Sequence, residues 1–125
     1  MVYKAGSTLI EKQKFARQAH HSQARDVKIK GDFLSEAIIL ESLQLNSSFP
    51  ILSEEAGIIG KIDRKEYLWI VDPLDGSLNY SHGIPLFCIS VALWKGNEPI
   101  LVAMAGGYAR RNIKSYLFHD LWWSI

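Results

Sequence analysis

The sequence predicts a layered α/β (α+β) fold, with two N-terminal helices packed on a mostly antiparallel sheet. Three observations lead there. Two stretches of the first half, Ser7 to about Arg25 and Asp32 to about Leu45, carry apolar residues at helical spacing. The second half instead holds short apolar runs, Tyr67 to Val71, Leu86 to Trp94 and Ile100 to Met104, separated by Gly, Pro and Asn. That punctuation is typical of strands. Finally, 48% of residues are hydrophobic and 22% are charged, a balance that supports a buried core.

At 125 residues the chain makes one domain at most. Its 14 basic and 13 acidic residues leave a net charge of +1. Such a balance gives no electrostatic case for nucleic acid or an acidic membrane surface as a partner. No run of 18 apolar residues is present, so no membrane span is expected, and no N-terminal stretch has signal-peptide character. The expected location is the cytoplasm. The single Cys88 has no internal disulfide partner and sits in an apolar run, so it reads as a small buried hydrophobe.

In the first helical stretch, Thr8 and Glu11 have capping-box spacing, and Leu9, Ile10, Phe15, Ala16 and Ala19 form a partial apolar face. His20 and His21 are adjacent, point in different directions, and read as surface helix residues rather than a metal pair. Lys28 to Gly31 reads as a basic connector. Asp32 opens the second helix, whose broad apolar face comprises Phe33, Leu34, Ala37, Ile38, Leu40 and Leu43. Asp32 and Glu36 lie four apart. On spacing alone they read as a cap and a solvated glutamate. After a loop, Ile51-Leu52 is a short strand that delivers Glu54 and Glu55, whose side chains point to opposite sides. Ile58 to Glu66 is polar and reads as an exposed loop.

The central stretch is Ile70-Val71-Asp72-Pro73-Leu74-Asp75-Gly76-Ser77-Leu78-Asn79-Tyr80. A buried strand ends in two carboxylates three residues apart, with Pro73 stiffening the turn between them. Gly76 and Ser77 suit a tight turn into a helix N-terminus. Carboxylate oxygens there can hold a hard divalent cation, and the free N–H groups of the helix start can receive a phosphate. The plainer reading is an ordinary turn with Asp72 capping and Asp75 solvated. Further on, Leu86 to Trp94 is a central strand, Lys95 to Pro99 a hairpin turn, and Ile100 to Met104 the returning strand.

The central stretch resembles the signature of the inositol monophosphatase family, Asp-Pro-(Leu/Ile)-Asp-Gly-(Thr/Ser), a residue, then Asn and an aromatic. Ile51-Leu52-Ser53-Glu54-Glu55-Ala56-Gly57 resembles that family's paired-glutamate motif, and Gly83 to Leu93 its next strand. The resemblance covers about Lys28 to Leu101, with the flavour of the archaeal-type inositol monophosphatase/fructose-1,6-bisphosphatase branch. It implies the N-terminal αβ portion of an inositol monophosphatase-like fold over 1–102, followed by a divergent or truncated tail over 103–125. Within that tail, His119-Asp120-Leu121-Trp122 does not reproduce the family's later Trp-Asp metal motif; the tail reads either as the product of a frame shift near Leu101 that leaves the chain truncated in mid-fold, or as a divergent terminal strand or helix whose Trp122 and Trp123 pack on the sheet.

The resemblance further implies a Mg²⁺-dependent phosphomonoesterase. Glu54, Asp72, Asp75 and the Leu74 carbonyl would hold Mg²⁺. Asp32 would help hold metal-bound water, although a second register would set Ile38 at that position and remove the ligand. Catalysis would rest on Glu54, Asp72 and Ser77, with Glu54 and the Ser77 hydroxyl orienting water. The N–H groups of Gly76 and Ser77 would bind the phosphate. Expected partners are a small phosphorylated polyol or sugar, with no nucleic acid and no membrane, and a homodimer stays open. The alternatives are a fructose-1,6-bisphosphatase or a 3′(2′),5′-bisphosphate nucleotidase in the same class. Outside that class the alternative is an inactive truncated fragment or Mg²⁺-binding interaction module.

Overall fold

The computed structural model describes residues 1–17, 19–23, 26–108 and 112–119. Helix α1 (Val2–Glu11) is followed by the short α2 (Gln13–Ala16) and by a hairpin of β1 (Ala19–Gln23) and β2 (Asp26–Ile29). The long α3 (Lys30–Asn46) leads to β3 (Ile51–Ser53), β4 (Gly57–Ile59) and β5 (Tyr67–Asp75). The five-residue α4 (Ser77–Ser81) precedes β6 (Phe87–Lys95), β7 (Glu98–Tyr108) and β8 (Asn112–His119). Among the described residues, six strands form one sheet in the order β4-β3-β5-β6-β7-β8. Only the β3–β5 pairing is parallel, so the sheet is mostly antiparallel, as the sequence predicts. No helix among the described residues is long and apolar enough to cross a membrane.

Helices α1 and α3 pack on each other, with α1 over β6, β7 and β8 and α3 over β5. The strands alternate, so Trp69, Val71, Ile89, Val91, Ala103 and Ala105 turn to the helices. They meet Leu9, Ile39 and Leu43 in one core. The Val, Leu and Ile side chains among them each contribute roughly 1.5–3 kcal/mol when fully buried. Gly31 lets α3 start close under α2, because a Cβ there would stand 3.2 Å from the Ala16 carbonyl oxygen.

Several elements differ from the sequence-based expectation. The first helix ends at Glu11, not near Arg25, because Lys12 leaves helical geometry and the chain then commits to the β1–β2 pairing. Thr8 makes no cap. Its hydroxyl donates back to the Lys4 carbonyl at 2.8 Å, inside the helix. His20 and His21 lie on strand β1, and their side chains fall outside the described residues. The connector Lys28 to Gly31 is divided between β2 and α3.

The stripe of α3 that sinks into the fold is Asp32, Ser35, Glu36, Ile39 and Leu43, while Phe33 and Ala37 are exposed. The expected loop from Ile58 begins as an edge strand, since β4 pairs with β3. The returning strand runs from Glu98 to Tyr108, through positions 102 and 103 without a break, and pairs with β8. Trp122 and Trp123 fall outside the described residues.

One long-range contact joins α4 to the N-terminal helices. The buried Tyr80 hydroxyl donates to the Leu9 carbonyl at 2.5 Å, taking up an acceptor in the last turn of α1. Nearby, Arg17 donates through Nε to the Ser81 carbonyl at 3.0 Å. Tyr80→Phe removes a donor and leaves the Leu9 carbonyl buried and unpaired. The expected loss is about 1–3 kcal/mol of stability. A urea midpoint unchanged from the parent chain would contradict this assignment.

Candidate functional site

The site forms where the end of β5, the turn after β3 and the first turn of α3 meet. Strand β5 shifts register between Asp72 and Asp75, so Pro73 and Leu74 leave the regular ladder while Asp72 pairs with Ser90 and Asp75 with Cys88. Pro73 donates no hydrogen bond, and Asp72 Oδ1 accepts the Leu74 N–H at 3.1 Å, closing a tight local turn. Gly76 holds φ 85° and ψ 30°. A Cβ there would stand 2.7 Å from the Leu86 carbonyl oxygen, so only glycine fits between β5 and α4.

Three further contacts assemble the cluster. Because β3 runs parallel to β5, the turn after β3 opens beside Asp72, and the Glu54 N–H donates to the Val71 carbonyl at 3.1 Å. Asp32 Oδ2 accepts the Ile29 N–H at 2.7 Å, capping α3. Its Oδ1 lies 2.6 Å from the Ser77 hydroxyl, which is also 2.7 Å from the Leu74 carbonyl oxygen. Ser77 therefore stands between α3 and the end of β5.

Glu36 is not the solvated residue that spacing suggests. It is buried, and its Oε1 accepts both the Ser53 hydroxyl and the Ala56 N–H, the latter at 2.9 Å. One carboxylate thus fastens both flanks of the Glu54-Glu55 turn. A single signal could have revealed it: Asp32, Ser35, Glu36, Ile39 and Leu43 lie at i, i+3, i+4, i+7 and i+11, one helical stripe.

The electrostatics are those of acids pressed together. Partial burial, then the Asp72 charge and a proton shared with Asp72, push Glu54 up to about 7, with Glu55 and Asp32 adding to the rise. Burial also raises Asp32, against the lowering effect of its bonds from Ser77 and Ile29. Asp72 is raised for the same first reason, with Asp75 and Glu55 contributing.

Asp75 itself is exposed and lies opposite Cys88 in the sheet. Cys88 is half-buried rather than the core hydrophobe expected. Its thiol is raised by burial and by the charges of Asp75 and Asp72.

The structure thus brings Asp32, Glu54, Asp72 and Ser77 into one neighbourhood, with Leu74, Asp75 and Gly76 on the adjoining turn. Among the described residues, no three Asp, Glu, His or Cys side chains enclose a metal ion as they stand. The donor chemistry nevertheless suits a hard cation. Every ligating atom on offer is oxygen, and acids that hold protons against one another would exchange them for a cation.

Comparisons with known proteins agree on the kinship of the chain. The profile of the Inositol monophosphatase family matches residues 1–118, a longer span than the motifs alone suggest. The phosphatase IMPL1, chloroplastic, of Arabidopsis thaliana is 42% identical over 95 residues, which is 73% of this chain and 25% of that protein. The inositol-1-monophosphatase of Rhizobium meliloti is 41% identical over 106 residues, 78% of this chain and 37% of that one. The crystal structure of the extragenic suppressor protein suhB from Bartonella henselae superposes with a TM-score of 0.77 at 29% identity. It covers 94% of this chain and 45% of that one. A Thermotoga maritima IMPase superposes at 0.70 with 26% identity, covering 96% of this chain and 45% of that one. The chain therefore spans a quarter to somewhat over a third of these two curated relatives and under half of these two solved structures.

Between about pH 4.5 and 7 the folded chain binds a proton at Glu54 that the unfolded chain has already released. Stability must then fall as pH rises through that window. The metal-free protein is expected to show a denaturation midpoint that declines from pH 4.5 to 7, with Glu54→Gln flattening the decline. A midpoint that climbs across this range would show that the acids are not held in mutual repulsion.

Proposed function

We propose a hydrolytic function from one premise: the chain belongs to the inositol monophosphatase family. The reaction we infer is Mg²⁺-dependent hydrolysis of a phosphomonoester on a small polyol or sugar, with inositol monophosphate as the leading substrate. Fructose 1,6-bisphosphate stands next, since a relative from Aquifex aeolicus is named for both activities. The observation that supports the reading is the convergence of Glu54, Asp72, Asp32 and Ser77 beside a turn that only glycine can make.

Glu54, Asp72, Asp75 and the Leu74 carbonyl would hold the cation, with Asp32 behind them. Bound there, Mg²⁺ supplies charge neutralisation for the phosphate and a lower pKa for a coordinated water. The residues of the chain do the rest. Gly76 and Ser77 offer backbone N–H groups to the phosphate oxygens. Glu54 and the Ser77 hydroxyl orient the attacking water. Its oxygen bonds to phosphorus as the ester P–O bond breaks, and the sugar alcohol leaves with a proton. Glu36 holds Glu54 in place through Ser53 and Ala56.

Phosphate release from inositol 1-phosphate, fructose 1,6-bisphosphate and a 3′-phosphonucleotide, with and without Mg²⁺, tests this reading. For these 125 residues alone we expect weak, Mg²⁺-dependent release that Asp75→Asn abolishes. Mg²⁺ at about 100 times its Kd should add about 2.7 kcal/mol to stability. A melting temperature indifferent to Mg²⁺, together with no metal-dependent release, would remove the reading.

A further inference from the structure

Helix α4 is little more than one turn, too short to hold a direction by its own hydrogen bonds. Its first end is fixed by the left-handed Gly76 and by the Tyr80 N–H, which donates to the Gly76 carbonyl at 2.9 Å. Its last end is met by a residue 64 positions earlier in the chain: the Arg17 Nε–H donates to the Ser81 carbonyl at 3.0 Å.

Arg17 sits in a place shaped for it. Gly83 holds φ 75°, and a Cβ there would stand 3.0 Å from one terminal guanidinium nitrogen, 3.2 Å from the other and 3.2 Å from Cζ. The guanidinium thus lies against the glycine backbone, where a side chain would displace it. The Gly83 N–H donates to the Tyr80 carbonyl at 3.0 Å, so the glycine that admits Arg17 also closes α4. Burial pushes the Tyr80 hydroxyl up to about 12, and the nearby Arg17 charge offsets part of that rise.

The root of this side chain is held as well as its tip. The Arg17 N–H donates to the Gln13 carbonyl at 3.1 Å and ends α2. The Ala16 carbonyl oxygen lies against the start of α3, 3.2 Å from where a Gly31 Cβ would stand. Asp32 follows directly, and its Oδ1 is 2.6 Å from the Ser77 hydroxyl. Two adjacent residues therefore set both sides of that contact. Ala16 bears on the helix that carries Asp32, and Arg17 holds the helix that carries Ser77.

We propose that Arg17 is a positioning residue for Ser77, holding α4 so that the Ser77 hydroxyl meets Asp32 and the Gly76–Ser77 turn faces a phosphate. The role rests on the hydrolytic reading above, in which Ser77 orients water. Arg17 itself touches no substrate. Its effect comes from placement, where an error of about 1 Å can cost on the order of 100-fold in rate. Lysine cannot replace it, because a compact ammonium keeps the charge but not the planar fork.

The test compares the 125-residue chain with Arg17→Met and Arg17→Lys. Amide hydrogen exchange is followed without ligand, and inorganic phosphate is titrated calorimetrically in saturating Mg²⁺. In Arg17→Met the Tyr80 amide should exchange about tenfold faster and phosphate should bind about tenfold more weakly, the size of one lost hydrogen bond from a charged group. The Trp69 amide, bonded to the Pro50 carbonyl at 2.9 Å, should keep its rate, and Mg²⁺ alone should bind as in the parent. Arg17→Lys should resemble Arg17→Met. Added guanidinium ion, well below denaturing concentration, should restore both the slow Tyr80 exchange and the phosphate affinity of Arg17→Met. Three results would overturn the proposal: Tyr80 exchange unchanged in the variants; equal acceleration at Trp69, the mark of a general loss of stability; or phosphate affinity indifferent to Arg17. A parent chain that takes up no phosphate in Mg²⁺ would instead remove the hydrolytic reading, and the positioning role with it, so the two failures are told apart.

Discussion

The proximity of Glu54 and Asp72 is the constraint around which the rest of this chain is arranged. Two carboxyl groups that share a proton, with Asp32, Glu55 and Asp75 close enough to be felt, repel one another once ionised. Left alone, the turns that carry them would move apart. The fold prevents this with a set of backbone anchors. Glu36 fastens the two flanks of the glutamate turn, and Asp32 ties α3 both to Ile29 and to Ser77. Tyr80 fixes α4 to the carbonyl end of α1, and Gly76 admits a backbone approach that no side chain would allow. The stability of these anchors is set against the repulsion they contain, the usual arrangement at a site shaped for a charged ligand.

Much of this was readable from residue types, for definite reasons. Pro73 and Gly76 restrict the backbone so strongly that the turn after β5 follows from local chemistry alone. The strands around it are apolar runs bounded by turn residues, and they appear close to where those runs lie. Helix α3 was legible as an element but not as a surface. Its apolar residues suggested that Phe33 and Ala37 would be buried with Leu34, yet those two are exposed and Asp32, Ser35 and Glu36 take the inward stripe. Asp32 and Glu36 go inside because backbone and hydroxyl donors await them there; the spacing of the stripe is in the sequence, but the Ser53, Ala56 and Ser77 donors are brought by distant elements.

The N-terminal stretch failed for a related reason. No Gly or Pro interrupts Ser7 to Arg25, so periodicity extended one helix through it. The hairpin that replaces its second half is fixed by pairing across β1 and β2, not by local preference. The paired glutamates were found, but which neighbours they would meet depended on the parallel alignment of β3 with β5. Parallel pairing joins strands distant in sequence and leaves no short-range trace. The same holds for Cys88, whose place opposite Asp75 follows from strand register alone.

The central claim is that the cluster holds protons in place of a cation. Proton release on Mg²⁺ binding tests it most directly. Calorimetric titration at pH 6.5 in buffers of different ionisation enthalpy counts the protons set free for each ion bound. The account predicts a substantial fraction of a proton at pH 6.5, declining toward zero at pH 8.5, where Glu54 is already ionised. Binding that releases no protons at pH 6.5 would mean that the cation goes elsewhere, and that the crowded carboxylates are not its site.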